Sequence, residues 1–196
     1  MFRFNPPLHA LVLSVDEKPS IQAIQRPSGY VETVSGAIVR AMKSTYKRNG
    51  TLNLFAALEV ASGQVHAKTS EREKREDFQQ FLDEVIAELP SDKDIHVILD
   101  NYSTHKRNDD WLAKYRGRVQ FHFTPTSASW LNQVEIWFGI LTRKTLRGAS
   151  FANKNQLRSA IEAFVGIANQ YPKPFRWRKR EVKGSQPRNT IINLCN

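Results

Sequence analysis

Two aspartates occupy positions at which a carboxylate could take part in chemistry. Asp16 directly follows an apolar run at 10–15, and Asp100 directly follows a second run at 95–99. Each run predicts a buried strand, and α/β folds place their sites just outside strand ends. An aspartate after a strand is also a routine turn residue, so either acid taken alone has a second interpretation.

A third acid, Glu135, stands out because of the helix on which it lies. Successive side chains of a helix over 130–146 rotate by about 100°, which places Glu135 inside an apolar arc. That arc consists of Leu131, Val134, Phe138 and Leu141. A carboxylate on a buried face needs a cationic partner or a metal ion, because desolvation disfavours an unpaired charge. Glu135 therefore either helps to bind a metal or forms an ion pair with Arg143 or another basic side chain.

The net charge indicates the kind of partner. The chain has 29 Lys and Arg against 19 Asp and Glu, a formal charge of +10. Residues 71–94 hold 9 of the acids and only 4 of the bases, so the rest of the chain carries +15. Such a surface favours a polyanion, most often nucleic acid, although a basic protein can also be simply well solvated.

The three acids and the basic surface together suggest one kind of chemistry. Oxygen ligands alone favour a hard divalent ion, Mg²⁺ or Mn²⁺, over zinc. With a nucleic acid as substrate, this predicts phosphodiester cleavage with two ions about 4 Å apart. One ion would activate the attacking water or sugar hydroxyl, and the other would stabilise the leaving oxygen.

The elements that must position these acids follow from hydrophobic periodicity and turn signals. In chain order they are a strand at 10–15 with a turn at Pro19, an irregular or hairpin insertion at 26–50, a hairpin around Ser62 and Gly63, an amphipathic helix at 71–89, a strand at 95–99, a short helix at 108–116 capped by Asn108 or Asp109, a strand at 118–123, a helix at 130–146 with Ser129 as candidate N-cap, and a helix at 154–169. This order predicts an α/β fold in which helices flank a mixed sheet.

Length and cysteine content narrow the class of protein. A chain of 196 residues favours one domain. Its single cysteine, Cys195, has no partner for a disulfide or a cysteine zinc site, so we expect a reducing, cytoplasmic location. The apolar stretches are shorter than the roughly 18 residues of a membrane span, and the first lacks the basic leader of a signal peptide.

Three sequence blocks resemble the catalytic domain of the DDE transposases, in the bacterial insertion-sequence six-thirty branch of the mariner-related superfamily. The blocks are LVLSVDEK at 11–18, ILDNYSTHK at 98–106 and HFTPTSASWLNQVEIWF at 122–138. The 34 residues between Asp100 and Glu135 equal the separation expected between the second and third acids of that group. The resemblance extends over roughly residues 5–178.

The resemblance implies a ribonuclease-H-like fold and a catalytic, metal-binding triad of Asp16, Asp100 and Glu135. It also implies Mg²⁺-dependent cleavage at transposon ends and strand transfer by the released 3′ hydroxyl, usually into a TA dinucleotide. The expected partners are then transposon-end DNA, target DNA and a second copy of the chain, in a nucleoid-associated setting.

The resemblance also leads to an expected domain organisation. Residues 1–172 should form the catalytic domain and residues 173–196 a basic tail. Members normally carry an N-terminal helix-turn-helix region that recognises the inverted repeats, whereas here Met1 lies 15 residues before Asp16. We therefore expect that region to be absent and a separate polypeptide to supply end recognition, unless the chain is a truncated product.

Further polar, basic and aromatic side chains are candidates for DNA contacts. They are Asn101, His105, Lys106, Trp130, Arg143, Lys144, Arg147, Arg176, Arg178, Lys179 and Arg180. Basic side chains suit phosphate contacts, which give affinity without reading sequence, and an aromatic ring can stack on unpaired bases. The same loop and tail residues could instead be merely solvated.

Two other functions remain open at this point. One is a non-catalytic DNA-binding or regulatory fragment of a transposase. The other is a ribonuclease-H-like nuclease that cuts without strand transfer. A metal-dependent nicking assay that also detects joined products separates all three.

Overall fold

The computed structural model describes residues 9–42, 45–72, 74–100, 109–125 and 132–175. The strands within these ranges are β1 (Ala10–Gln25), β2 (Ser28–Glu32), β3 (Ile38–Met42), β4 (Lys47–Glu59), β5 (Val65–Ser70), β6 (Asp94–Leu99) and β7 (Val119–Phe123). The helices are α1 (Arg75–Glu88), α2 (Asp109–Ala113), α3 (Val134–Leu141) and α4 (Lys154–Gln170). A π-helical turn, Thr142–Leu146, extends α3.

Five strands form one mixed sheet in the order β5-β4-β1-β6-β7. Strands β5, β4 and β1 pair antiparallel, while β1, β6 and β7 pair parallel. Strands β2 and β3 form a separate antiparallel hairpin between β1 and β4. The structure thus confirms the predicted α/β fold with a mixed sheet, and it shows that the insertion at 26–50 contains a hairpin.

Helices cover both faces of the sheet, and strand alternation decides which side chain belongs to which face. On one face, α1 packs the apolar stripe Phe78, Phe81, Leu82, Val85 and Ile86 against odd-numbered residues of β1, β4 and β6. On the other face, α3 and α4 pack against the even-numbered residues Leu54, Ala56 and Leu58 of β4. Ser14 and Asp16 of β1 pair with Leu58 and Ala56, so they also lie on the face that α3 covers.

The end of the first strand was predicted wrongly. The apolar run stops at Val15, but β1 continues to Gln25 and contains Pro19. A register shift between Lys18 and Ile21 marks a β-bulge, and Ser20 within it has φ 53°. A bulge interrupts the ladder locally, which is where a central strand tolerates a proline that cannot donate a hydrogen bond.

The helix that carries Glu135 also differs from its prediction. It begins at Val134 rather than near residue 130, and Ser129 and Trp130 fall outside the described ranges. The turn that follows is π-helical: the Arg147 N–H donates to the Thr142 carbonyl, five residues back, at 2.7 Å. The Thr142 hydroxyl donates to the Phe138 carbonyl at 2.8 Å, a side-chain bond that competes with the α-helical ladder.

The remaining elements agree with their predictions to within a few residues at each end. They are the hairpin β4–β5, the helices α1, α2 and α4, and the strands β6 and β7. Among the described helices, none is long and apolar enough to cross a membrane.

Candidate active site

The parallel pairing of β1 with β6 predicts that two of the three acids lie near one another. The last pair of the ladder is Ser14 with Ile98, and Asp16 and Asp100 each lie two residues further along, Asp100 just past the end of β6. If the register continues, equal offsets would put the two aspartates side by side and on the same face, since paired strands lie about 4.8 Å apart. That face is the one that α3 covers, because Asp16 pairs with Ala56 across β4.

A buried asparagine fixes the first of these aspartates. Asn132 is fully buried and lies two residues before the start of α3. Its side-chain Nδ2 donates to the Val15 carbonyl at 2.9 Å and to Asp16 Oδ2 at 3.1 Å. The other oxygen of Asp16, Oδ1, accepts from the Glu17 N–H at 2.9 Å. Asp16 is only 4% exposed, and both of its carboxylate oxygens accept hydrogen bonds that fix their orientation.

A serine on β1 completes the connection between the strand and the helix. The Ser14 hydroxyl donates to Asn132 Oδ1 and accepts from the Val134 N–H, the latter at 2.9 Å. Both Ser14 and Val134 are fully buried. Buried hydrogen bonds thus hold the part of β1 that contains Asp16 against the start of α3. The bonded residues are more than a hundred positions apart in the sequence.

The third acid lies next to this connection but faces outward. The Glu135 N–H donates to the Asn132 carbonyl at 3.1 Å, so its backbone follows directly from the buried asparagine. Its side chain is exposed, which contradicts the prediction that it lies on the buried face of the helix. The stripe that packs on the sheet is Val134, Trp137, Phe138 and Leu141. Trp137 extends this stripe on the side of Val134 away from Glu135, so Glu135 lies beyond its edge, about 100° around the axis from Val134.

The alternative role for Glu135, an ion pair with Arg143, is not found. Within the described part of the chain neither residue forms a salt bridge. The carboxylate of Glu135 is therefore not neutralised by that arginine, and α3 carries it on the same side of the sheet as Asp16.

The three acids fit a hard divalent ion in their donor chemistry. All offer carboxylate oxygens, the ligands that Mg²⁺ and Mn²⁺ prefer. No group of three or more His, Cys, Asp or Glu residues is arranged to hold a metal ion among the described side chains. The triad is consequently supported here by strand register and helix position, and not by carboxylates that already surround one point.

The residues predicted to contact DNA divide into two groups. Arg143 and Lys144 lie in the π-helical turn after α3, Arg147 directly follows it, and all three are exposed. The others, namely Asn101, His105, Lys106, Trp130, Arg176, Arg178, Lys179 and Arg180, fall outside the described ranges, so their roles remain predictions. The boundary between catalytic domain and tail at residue 172 also remains a prediction.

Ser14 and Asn132 were missed at the sequence level. A signal for Asn132 was present, because Asn132 and Gln133 are two polar residues directly before the apolar stripe of α3. Both are buried in the structure. A buried polar side chain needs hydrogen-bond partners, so such a pair at the start of an apolar helix predicts a polar connection to another element.

Two solved structures show which fold this is. The Mos1 strand transfer complex has a TM-score of 0.56 at 15% identity, with 84% of this chain and 49% of that chain covered. The Mos1 mariner paired end complex with Mn has a TM-score of 0.54 at 14% identity, with 82% and 49% covered. The likeness confirms the ribonuclease-H-like fold. This chain spans about half the length of those proteins.

Sequence comparison identifies the family. Curated proteins give no match. The family model described as DDE superfamily endonuclease matches residues 12–158, about three quarters of the chain and a range that includes Asp16, Asp100 and Glu135. The chain therefore belongs to the DDE superfamily endonucleases.

Proposed function

We propose that this chain is a transposase catalytic domain that cuts DNA at the ends of a mobile element and joins the released 3′ hydroxyl to target DNA. Asp16, Asp100 and Glu135 would be its catalytic residues and would hold two Mg²⁺ or Mn²⁺ ions. The observation that carries the proposal is the equal offset of Asp16 and Asp100 on parallel strands, on the face where α3 presents Glu135.

The residues would divide the work in a way that follows from their surroundings. When bound, the two ions would activate the attacking hydroxyl or water and stabilise the leaving oxygen. Asp16 is buried and held by Asn132, so it would supply a carboxylate of fixed orientation. Glu135 is exposed at the edge of α3, so it would approach from the side that DNA reaches.

The surface charge supports DNA as the substrate. The chain carries +10 overall, and the exposed Arg143, Lys144 and Arg147 follow Glu135 along the same helical segment. We further propose a TA dinucleotide as target, a homodimer that acts on two ends, and a separate polypeptide for end recognition.

A nicking assay tests the proposal. The chain is incubated with a supercoiled plasmid that carries the DNA flanking its own gene, in Mg²⁺, in Mn²⁺ or in EDTA. Wild-type protein should nick the plasmid only with a metal, and Asp100→Asn should reduce nicking to background. The matched control is Asp92→Asn, an exposed aspartate in the turn before β6, which should nick like the wild type.

The products distinguish the proposal from its two rivals. Nicked and joined products support a transposase, whereas nicking without joining would indicate a nuclease of the same fold. DNA binding with no metal-dependent nicking would indicate a non-catalytic fragment. Nicking that survives in Asp100→Asn would refute the assigned site.

A further inference from the structure

A cavity lies at the C-terminal end of β1, nine residues beyond Asp16. It has a volume of about 410 Å³, within the range of typical ligand sites. It opens where the β1–β4 ladder ends at the pair Gln25 and Lys47, and Ser150 of the loop before α4 forms another wall. Nine residues of strand separate Asp16 from Gln25, or roughly 30 Å.

The walls of the cavity are positive. Arg26 and Lys47 line it together with Thr45, Tyr46 and Ser150, and no acidic residue is among the lining residues that the structure describes. Over the part of the chain that the structure describes, neither Arg26 nor Lys47 forms a salt bridge. Two cations without a carboxylate partner, beside three hydroxyl groups, suit an anion with several oxygen acceptors.

Arg48 adds a further positive charge next to Tyr46. Nη2 of Arg48 donates to the Tyr46 hydroxyl at 3.2 Å, and its guanidinium carbon lies 5.6 Å from the centre of the tyrosine ring. These contacts hold a third cation beside the cavity and orient the tyrosine. Tyrosine, serine and threonine hydroxyls are common donors to DNA phosphate oxygens.

Hydrogen bonds between distant parts of the chain shape the cavity. The Arg26 N–H donates to Ser150 Oγ at 3.0 Å, and the Phe151 N–H donates to the Ile24 carbonyl at 2.8 Å. Nδ2 of Asn49 donates to both the Gln25 side chain and the Phe151 carbonyl, each at 3.1 Å. The loop before α4 is therefore attached to the ends of β1 and β4, which holds the walls of the cavity in place.

A basic segment runs from the carboxylates toward this cavity. Helix α3 and its π-helical turn start beside Glu135, and the exposed Arg143, Lys144 and Arg147 lead into the loop that contains Ser150. An extended polyanion could contact both ends of this segment, whereas a free phosphate ion could occupy only one. Roughly 30 Å corresponds to about nine nucleotides of B-form DNA at 3.4 Å each.

We propose that the cavity between Arg26, Lys47 and Ser150 binds a backbone phosphate of the DNA substrate, several nucleotides from the bond that is cut. Arg26 and Lys47 contribute the charge, and Tyr46 contributes a hydroxyl group. The contact would position the duplex along α3 without reading its sequence. This inference rests on the proposed function for its choice of DNA as the polyanion.

The test measures DNA binding without catalysis. The affinity for a fluorescein-labelled duplex, long enough to span both sites, is measured by anisotropy over a series of salt concentrations in EDTA. The variants are Arg26→Ala/Lys47→Ala and a charge-matched control, Lys93→Ala/Lys114→Ala. Lys93 lies next to the start of β6, and Lys114 lies after α2, where it pairs with Asp83 of α1 on the face of the sheet away from α3.

The expected result is specific to the cavity. The slope of log K against log salt is negative, and removing one phosphate contact should make it less steep by about 0.9, uniformly across DNA sequences. Affinity at low salt should fall roughly tenfold, the effect of losing hydrogen bonds to a charged group. The control should keep the wild-type slope. Arg26→Lys and Lys47→Gln, measured singly with their melting temperatures, separate a charge effect from a folding defect: the first should retain the slope and the second should make it less steep.

Several outcomes would overturn the inference. These are an unchanged slope in the Arg26→Ala/Lys47→Ala protein, an equal loss in the control, or tight binding of inorganic phosphate without any change in DNA affinity. The proposed function fails separately. A wild-type chain that never nicks DNA, but whose binding depends on Arg26 and Lys47, would refute the catalytic proposal and support the cavity.

Discussion

Replacing Asn132 by alanine should destabilise the protein far more than an ordinary asparagine substitution. The Asn132 side chain bonds the Val15 carbonyl, the Ser14 hydroxyl and Asp16 Oδ2, all in the interior. Each buried group that loses a partner costs about 1 to 3 kcal/mol, and neighbouring losses are not additive. We expect a total of about 3 kcal/mol, which lowers the melting temperature by about 6 to 12 °C in a domain of this size.

Chemical denaturation and thermal melting of purified variants measure this loss. Asn155→Ala, on the exposed side of α4, is the control and should stay within about 0.5 kcal/mol of the wild type. A double-mutant cycle with Ser14→Ala should give a coupling energy of about 1 kcal/mol or more, because the two side chains share a bond. A loss below about 0.5 kcal/mol for Asn132→Ala, or no coupling to Ser14, would refute the role assigned to this asparagine.

Two further predictions concern other parts of the fold. A hydrogen bond to Glu59 at 3.1 Å raises the pKa of His66 above 6.5, and the same bond lowers the pKa of Glu59 below 4.5. Charged His66 stabilises the fold fully below pH 6.5, and this stabilisation is lost as the pH rises through the raised pKa that His66 has in the folded protein. Charged Glu59 stabilises the fold above pH 4.5, and its contribution is lost as the pH falls below that value. His66→Ala should therefore cost most near pH 5.5, by about 1 to 2 kcal/mol, and least in alkaline solution; a penalty that does not vary with pH would contradict this. At the start of α4, the Asn153 side chain accepts from the Gln156 N–H at 2.9 Å, and Gln156 Oε1 accepts from the Ala152 N–H at 2.8 Å. Asn153→Ala should therefore lower the free energy of unfolding by about 1 kcal/mol in thermal melts, whereas Asn155→Ala should leave it unchanged.

Local patterns were sufficient to predict most elements of the fold. The spacing of Phe78, Phe81, Leu82 and Val85 predicts α1, and the same residues are buried in the structure. Strand β6 alternates between buried and partly exposed positions, but its short apolar run already identified it. These elements could be predicted because each depends on residues that are neighbours along the chain.

The end of β1 was predicted wrongly because it depends on distant residues. The continuation of β1 beyond Pro19 depends on a bulge that restores pairing between Ile21 and Leu52, and this contact is not visible in a local hydrophobic pattern. The exposure of Glu135 has a local cause: Trp137 belongs to the buried stripe of α3 and lies on the side of Val134 away from Glu135.

The candidate site was predictable only in part for the same reason. The sequence identified Asp16, Asp100 and Glu135 as acids in unusual positions, and both their shared donor chemistry and the resemblance grouped them. The equal offset of the two aspartates required the register of β1 with β6, and the connection through Asn132 required the packing of α3 on the sheet. Both are nonlocal properties of the chain.

The central claim is that Asp100 acts as a metal ligand in DNA cleavage, and the metal preference of a cysteine variant tests it most directly. Thiolate is a softer ligand than carboxylate and suits Mg²⁺ poorly. The wild type should nick plasmid DNA in either Mg²⁺ or Mn²⁺, whereas Asp100→Cys should be inactive in Mg²⁺ and regain measurable nicking in Mn²⁺. Equal activity of the variant and the wild type in Mg²⁺ would contradict the account, because the residue would then not bind the ion.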